Sequence, residues 1–492
     1  MTHSVEYIPV APDHLNERLE QLLSHGGRMQ MAYAWFPEPG VAEVRYLAAP
    51  GARQPLQLWQ CTADHGHLPS LALRAPLLGW YEREMQDIYG LTFDGHPEPY
   101  PMIIDGAASA ERSLQPEGPS RQAAQAPLIM PVVNNPQVQL LSFGPVRADV
   151  IESAQFLFYY LGEAIAHYQP RLFFKHRGME TRFVGTDPLR ANVLAERVSG
   201  VGSVAHGLAY CQAIEDACDC DVPLRARQLR VLLAELERLY NHLHYFGQLA
   251  DATTLKVGQA EGRLLEERVK QLAGRLTGQR FMRNVLTPGG LRRDLPLPPD
   301  LPDTLQRLRD QVESYLRQLD RTTSYLDRLI GTGVLTREVA FDQGATGPVE
   351  RASGLDRDMR RDHPYAAYAE LPVGVPLADE GDAYARAKVR AAELRVSFDL
   401  IELLLPQLQR GETRAACVVK PSRCGLGWAE SPRGSLYYAV HIDERGVLKR
   451  VKIKSPSFSN WRAFPFTVHQ TNMMDYAINE ASFGLTIAGC DR

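Results

Sequence analysis

The stretch that most constrains the fold lies mid-chain. Leu229, Leu232, Leu233, Leu236, Leu239, Tyr240, Leu243 and Phe246 recur at three- and four-residue spacing. That is one continuous apolar stripe on a long helix, and it must be buried against other elements. Pro223 stands just upstream, where a helix start tolerates it. Helical patterns also run from residue 188 to about 217, over 304–329 and over 383–408, the last ending near Pro406 and Gly411. Packing four such stripes together predicts an α-helical bundle core. At 492 residues, 45% hydrophobic and 23% charged, the chain is long enough for two or three domains. No run of 18 apolar residues appears, so no membrane-spanning segment is expected. A net charge of −4 gives no electrostatic case for nucleic acid.

The ends of the chain read differently from its middle. Residues 1–104 predict a small α+β domain. A helix over 13–24 carries Leu15, Leu19, Leu22 and Leu23 on one side, and β-like runs follow over 29–36, 41–48 and 56–61. A short helix then places Glu82, Arg83, Glu84 and Asp87 close together before Gly90 stops it, with His96 and Pro97 beyond. These charges read either as a functional surface or as a salt-bridged helix face. Residues 105 to about 126 hold almost no large apolar side chains, and a linker is expected over 105–130. The second unit, 131–492, opens with a strand over 137–143. Phe143-Gly144-Pro145-Val146-Arg147 follows, then a helix expected to run through Leu161, Gly162 and Glu163. Two strands over 435–442 and 447–453 turn at 443–446 near the end.

Seven cysteines occur, none in a Cys-x-x-Cys pair, so neither a zinc knuckle nor an iron–sulfur ligand run is present. The odd count and the lack of a signal-like start point to free thiols in a reducing compartment. Cys218 and Cys220 close a helix with no thiol near them in sequence and read as incidental.

Two sets of motifs resemble known families. Residues 79–97 are similar to the signature of the 30-kDa-type subunit of respiratory complex I, a docking module there. From residue 132 onward the chain resembles the large subunit shared by membrane-bound (group 4) nickel–iron hydrogenases and the 49-kDa-type quinone-site subunit of complex I. The markers are 175–180 and 196–206, Thr287-Pro288-Gly289-Gly290, 347–354, Asp358 to Arg361, Pro364-Tyr365, 381–386, 430–434, 455–458 and the closing 482–492. Fusion of the two parts matches large subunits of the formate hydrogenlyase type. The resemblance implies an α+β fold: a small α+β domain, then a mainly helical bundle with peripheral strands.

The same resemblance implies what is missing. In the hydrogenases, residues 197–206 read Arg-x-Cys-Gly-x-Cys-Ser-x-x-His, and the cysteines hold nickel together with a second pair near the C-terminus. Here the first two positions are Ser199 and Gly202. Aligning Ser482 puts the second pair at Thr486 and Gly489, with Cys490 one residue beyond. Hydroxyls and hydrogen atoms are no ligands for this soft site. The expectation is a chain with no metal and no hydrogenase activity.

The proton donors of the quinone-site relatives fall on Ile151 and Arg197, and the histidine of their Gly-Pro-x-His motif falls on Arg147. Isoleucine cannot donate a proton and arginine stays protonated. Tyr210 is an alternative tyrosine for a shifted pocket.

His176, Arg177, Glu180, Glu196, Arg197 and His206 remain as candidates for a proton path or small-ligand pocket beside the former metal site. The alternative makes Arg177 and Glu180 a structural ion pair and His206 a satisfied helix histidine. Three functions compete. The first is a cofactorless subunit of a complex I-like, energy-converting hydrogenase-related assembly, peripheral on the cytoplasmic face of the inner membrane. Its iron–sulfur cluster would be held by a small-subunit partner, and antiporter-like membrane-arm subunits would complete the assembly. The second is a quinone-reducing NADH dehydrogenase-like subunit with an altered site. The third is a non-enzymatic scaffold.

Overall fold

The computed structural model describes residues 5–38, 40–103, 131, 133–146, 152–469 and 471–492. The expected linker 105–130, Arg147 and Ile151 lie outside the described residues. The fold is mixed α+β, as the sequence predicts.

In the N-terminal region, β2 (Arg28–Trp35), β3 (Glu43–Ala49) and β4 (Leu56–Thr62) form an antiparallel sheet. β1 (Val5–Pro9), not expected from sequence, adds parallel to β4. α1 (Leu15–Ser24) buries Leu15, Leu19 and Leu22. α2 (Gly79–Tyr89) ends at Gly90 in the left-handed conformation.

Beyond it the structure corrects three expectations. The helix expected after Phe143 is a β-hairpin. β5 (Gln139–Phe143), β6 (Gln155–Leu161) and β7 (Ala164–Arg171) form an antiparallel sheet. The run from Phe156 to Tyr160 is aromatic-rich with no polar gap every third or fourth residue, which suits a pleated surface. The helix expected over 188–217 is broken. α3 (Asn192–Ala195) and α4 (Ser203–Cys218) are separated by an irregular turn containing Gly200 and Gly202. The pattern over 304–329 splits into α7 (Leu301–Asp320) and α8 (Thr323–Leu329). The Thr322 hydroxyl donates back to Gln318 O (2.8 Å) there, and local bonding competes with helix continuation.

The stripe at 229–246 forms α5 (Leu224–Ala252), with Pro223 at its start. α6 (Lys256–Thr277), missed in the sequence, packs on it. The two helices touch at glycines: a Cβ on Gly262 would lie 2.9 Å from Gly247 Cα and 2.7 Å from the Tyr315 hydroxyl. α9 (Ala383–Leu404) closes the bundle. A second antiparallel sheet, β8 (Cys424–Ser431), β9 (Gly434–Ile442) and β10 (Leu448–Lys454), lies against α4. A Cβ on Gly425 would overlap Ala213 O, and one on Gly427 would overlap Ala209 O, so the strand lies directly on helix backbone. α10 (Pro456–Ala463), α11 (Tyr476–Phe483) and α12 (Ile487–Asp491) end the chain.

Buried charges tie these parts together. Arg238 pairs with Glu393 (3.3 Å), Arg351 with Glu430 (3.1 Å), Arg360 with Asp358 (2.8 Å) and His242 with Glu393 (2.7 Å), all shielded from solvent. Each charge has a partner, which is the condition for keeping ions in a core. The markers at 347–354, 358–361 and 430–434 thus converge on one network. A second network joins the N-terminal region to the rest. Glu84 pairs with Lys452 (2.7 Å) and Arg492 (3.1 Å), and Arg28 pairs with Glu350 (3.2 Å).

Candidate functional site

The turn before α4 and the start of α12 bring Ser199, Gly202, Thr486 and Gly489, the positions that the resemblance matches to nickel ligands, into one region. α4 begins at Ser203, and its first amides need acceptors. Glu237, from α5, supplies them: its carboxylate accepts from Val204 N (2.7 Å) and Ala205 N (2.8 Å). Burial pushes Glu237 up to about 7, against the pull of these two amides. At the other end of the chain, Thr486 caps α12 by accepting from Gly489 N (3.2 Å). Glu152 also accepts from Ala488 N (3.2 Å) and Ile487 N, and pairs with Lys175 (3.3 Å).

Arg177 joins the two segments. Its guanidinium donates to Arg197 O (3.1 Å), Val198 O (2.6 Å) and Ala488 O (3.1 Å). One side chain therefore spans the residue before Ser199 and the residue before Gly489.

The other sequence candidates point elsewhere. Glu180 does not pair with Arg177, contrary to the ion-pair expectation. It accepts from Arg450 (2.8 Å) and meets Lys452 (3.2 Å) and Arg492 (3.4 Å). Burial works to raise it, but these three cations hold its carboxyl well below the usual carboxylate range. The reason is topological: β10 presents Arg450 and Lys452 on the strand that crosses beneath the single turn Met179–Arg182. His176 Nδ1 donates to Asp491 O (2.7 Å) and is otherwise exposed. Glu196 is buried, accepts from Asn284 N (3.0 Å) and is raised by burial. Arg197 is exposed and donates to Val193 O (2.7 Å). His206 is buried and hydrogen-bonded to the Tyr438 hydroxyl (2.9 Å). Burial, and then the charge of Arg177, lower it to about 3, so it is neutral at pH 7. Tyr210 is turned away, its hydroxyl donating to Pro188 O (2.7 Å).

Sequence reasoning missed Glu152, Glu237 and Asp491. Asp491 is buried, accepts from Lys175 N (2.9 Å) through Oδ2 and, among the described residues, leaves Oδ1 without a hydrogen-bond partner. Burial raises it to about 7. Its position beside Cys490 was visible in the sequence; its burial was not.

These side chains do not fit a nickel centre. Thr486 Oγ1 is engaged with Gly489 N and lies 3.2 Å from Ser457 Oγ. A Cβ on Gly489 would stand 2.6 Å from Thr486 Oγ1, and one on Gly202 would stand 3.3 Å from His206 Cδ2. The thiol of Cys490 is buried and pushed well above its ordinary value by burial. What the region offers is hydroxyls, one fixed guanidinium and two buried carboxyls that titrate near neutrality. That equipment suits holding and moving protons at an oxygen-bearing or anionic group.

The α2 charges are placed by the fold itself. Glu82 accepts from Ser70 Oγ (2.5 Å) and Leu71 N (2.9 Å), Arg83 donates to Tyr100 O (2.8 Å), and Asp87 accepts from Met102 N (2.7 Å). Glu84 reaches across to the larger region, where it meets Lys452 and Arg492.

Comparison with known proteins agrees with this architecture. Residues 263–425 and 418–492 match the model of the respiratory-chain NADH dehydrogenase 49 Kd subunit, 177–261 that of nickel-dependent hydrogenase, and 9–121 that of the respiratory-chain NADH dehydrogenase 30 Kd subunit. Formate hydrogenlyase subunit 5 of Escherichia coli is 30% identical over 429 residues, 84% of this chain and 75% of that protein. NADH-quinone oxidoreductase subunit 4 of Thermus thermophilus is 30% identical over 390 residues, 72% of this chain and 94% of that protein. A chain in the structure of the membrane-bound sulfane sulfur reductase, an archaeal respiratory membrane complex, superposes with a TM-score of 0.69 at 25% identity. It covers 73% of this chain and 100% of that one. The chain belongs to the family of hydrogenase-type and complex I 49-kDa-type large subunits, in the form that carries a 30-kDa-type region ahead of the large one.

Proposed function

We propose that the chain is the large subunit of a membrane-bound, complex I-related electron-transfer assembly, and that it works without nickel and without hydrogenase activity. The observation that carries this reading is the occupancy of the four ligand positions by Ser199, Gly202, Thr486 and Gly489, with the Thr486 hydroxyl committed to Gly489 N. The relatives named as formate hydrogenlyase, NADH-quinone oxidoreductase and a respiratory membrane complex support the assembly. In this reading a small-subunit partner holds the iron–sulfur cluster, and membrane-arm subunits of the antiporter-like kind complete the complex. The chain sits peripherally on the cytoplasmic face of the inner membrane. Among the described residues no helix is long and apolar enough to cross a membrane. At the Arg177 seam, Glu237 and Asp491 hold and exchange protons near neutral pH for an acceptor reduced from the partner's side.

The test is elemental analysis and hydrogen evolution by the purified assembly. The expected result is nickel far below one atom per chain and no hydrogen from reduced viologen. Near-stoichiometric nickel with turnover would overturn the proposal. The relatives named NADH-quinone oxidoreductase favour a second reading, reduction of a quinone at an altered site. Binding of a quinone analogue that is lost in Arg197→Ala would select it.

A further inference from the structure

Where the N-terminal region meets the large one, a cavity of about 10 Å³ gives room for one water-sized group. β2 contributes Arg28 to its wall, β10 contributes Lys454 and α10 contributes Arg462. Gln30, Tyr81 and Ser459 are the other polar side chains there, and among the described residues no carboxylate lines it. The backbone over 343–346 gathers the three cations. Arg462 Nη2 donates to Gln343 O and Arg28 Nη1 donates to Ala345 O (3.0 Å), so the two guanidinium groups hold carbonyls on either side of Gly344. Gly344 lines the cavity with φ at +68°, and a Cβ on it would stand 3.5 Å from Arg462 Nη2. Lys454 Nζ donates to Ser435 O (3.0 Å) and Oγ (2.6 Å), and that hydroxyl is hydrogen-bonded to Thr346 Oγ1 (2.7 Å).

Charge at this point does not balance. Arg28 and Lys454 are 2% exposed and Arg462 is 8% exposed. Among the described residues, Glu350 is the one carboxylate that pairs with any of the three, at 3.2 Å from Arg28. Arg462 donates to the neutral carbonyls of Pro76 (2.6 Å) and Gln343. The Nε atoms of Arg28 and Arg462 have no hydrogen-bond partner among the described residues, and the Lys454 ammonium has a third N–H beyond its two bonds to Ser435. Burial and then Arg28 push Lys454 down to about 7, against the pull of Glu350 and Glu430, and burial pushes Arg462 down to about 9. Buried cations persist where a counter-charge meets them.

We propose that this cavity binds one halide ion, chloride in ordinary buffers, between Arg28, Lys454 and Arg462. A halide accepts from several N–H groups at once and offsets positive charge that Glu350 alone leaves uncompensated. A water molecule would meet the donors and leave the charge. Sulfate, phosphate and carboxylates are too large for a space that holds one water-sized group. The wall is shared: Arg28 and Tyr81 come from the N-terminal region, Lys454 and Arg462 from the large one. The ion therefore binds the docked arrangement of the two regions and enters as they come together, without a channel from the surface. Binding of that kind stabilises the folded chain in proportion to the logarithm of halide concentration.

The experiment grows crystals of the purified full chain in sodium bromide and in sodium chloride. Anomalous diffraction is collected at the bromine edge for the first and at long wavelength for the second. The expected result is a halide peak within hydrogen-bond reach of Arg28, Lys454 and Arg462. A water without anomalous signal at that point in both salts would overturn the proposal, and so would a side chain occupying it. In solution, the melting temperature of the full chain should rise with chloride or bromide and stay lower in sodium gluconate of equal ionic strength. Arg462→Gln and Lys454→Met should each lose most of this difference between salts, whatever their own melting temperatures. An equal rise in gluconate, or a difference between salts that both variants keep, would contradict a halide at this site.

Discussion

Arg177 and His206 show how single side chains set the behaviour of the candidate site. Arg177 satisfies carbonyls from two segments far apart in sequence. Arg177→Ala should cost about 1–2 kcal/mol, since carbonyls are left without a donor at a partly solvated position. Thermal unfolding would register the loss, and Arg177→Lys should not restore it, because one ammonium cannot reproduce the planar fork. His206 has a folded value of about 3 against an ordinary 6.5. The unfolded chain thus binds the proton that the folded chain refuses. Its contribution to stability is complete above pH 6.5 and is lost as pH falls toward 3, amounting to about 2 kcal/mol at pH 5. Denaturant titrations from pH 8 to pH 5 should show a shallower decline in His206→Gln. The sequence identified both residues but not their roles. The helix expected over 188–217 would have hidden the seam, and two partners of Glu180, Arg450 and Lys452, lie on β10, about 270 positions away.

At the level of elements, legibility followed periodicity. α5 was clear because its apolar residues recur with the helical period. α6 was missed because Gly258 and Gly262 interrupt its stripe, and these glycines are needed where it meets α5. The hairpin of β6 and β7 was read as a helix because an unbroken aromatic run carries no period to decide between them. The contact between α5 and α6 yields a paired prediction. Gly262→Ala would press on Gly247 Cα and the Tyr315 hydroxyl and should cost about 1–3 kcal/mol by overpacking. Gly247→Ala meets its nearest neighbour at 3.6 Å and should be much milder. Melting temperatures of the two variants compare them directly, and equal losses would contradict close packing at this crossing.

Across the whole molecule, the N-terminal region and the large region are held by buried ions rather than by a broad apolar face alone. Glu84→Gln would leave Lys452 and Arg492 facing each other with only Glu180 to balance them. Removing one partner of such a set costs about 3–5 kcal/mol, and limited proteolysis should then cut the N-terminal region sooner. The family markers include Glu84, Glu180 and Arg492 but not Lys452, and their convergence depends on contacts hundreds of residues apart that no local pattern encodes. The meeting of Gly425 and Gly427 with α4 has a consequence for how such chains change length. Along α4, Ala209 and Ala213 are about 6 Å apart at 1.5 Å per residue, while two residues of β8 span about 6.6 Å. The two spacings agree over a single turn and no further, like the marks of a vernier. Deleting or inserting one residue in β8 would turn Leu426 or Trp428 onto the helix backbone in place of a glycine. Length variation among relatives should therefore fall in the loops flanking β8 and leave Cys424–Ser431 at constant length, whatever substitutions it accepts.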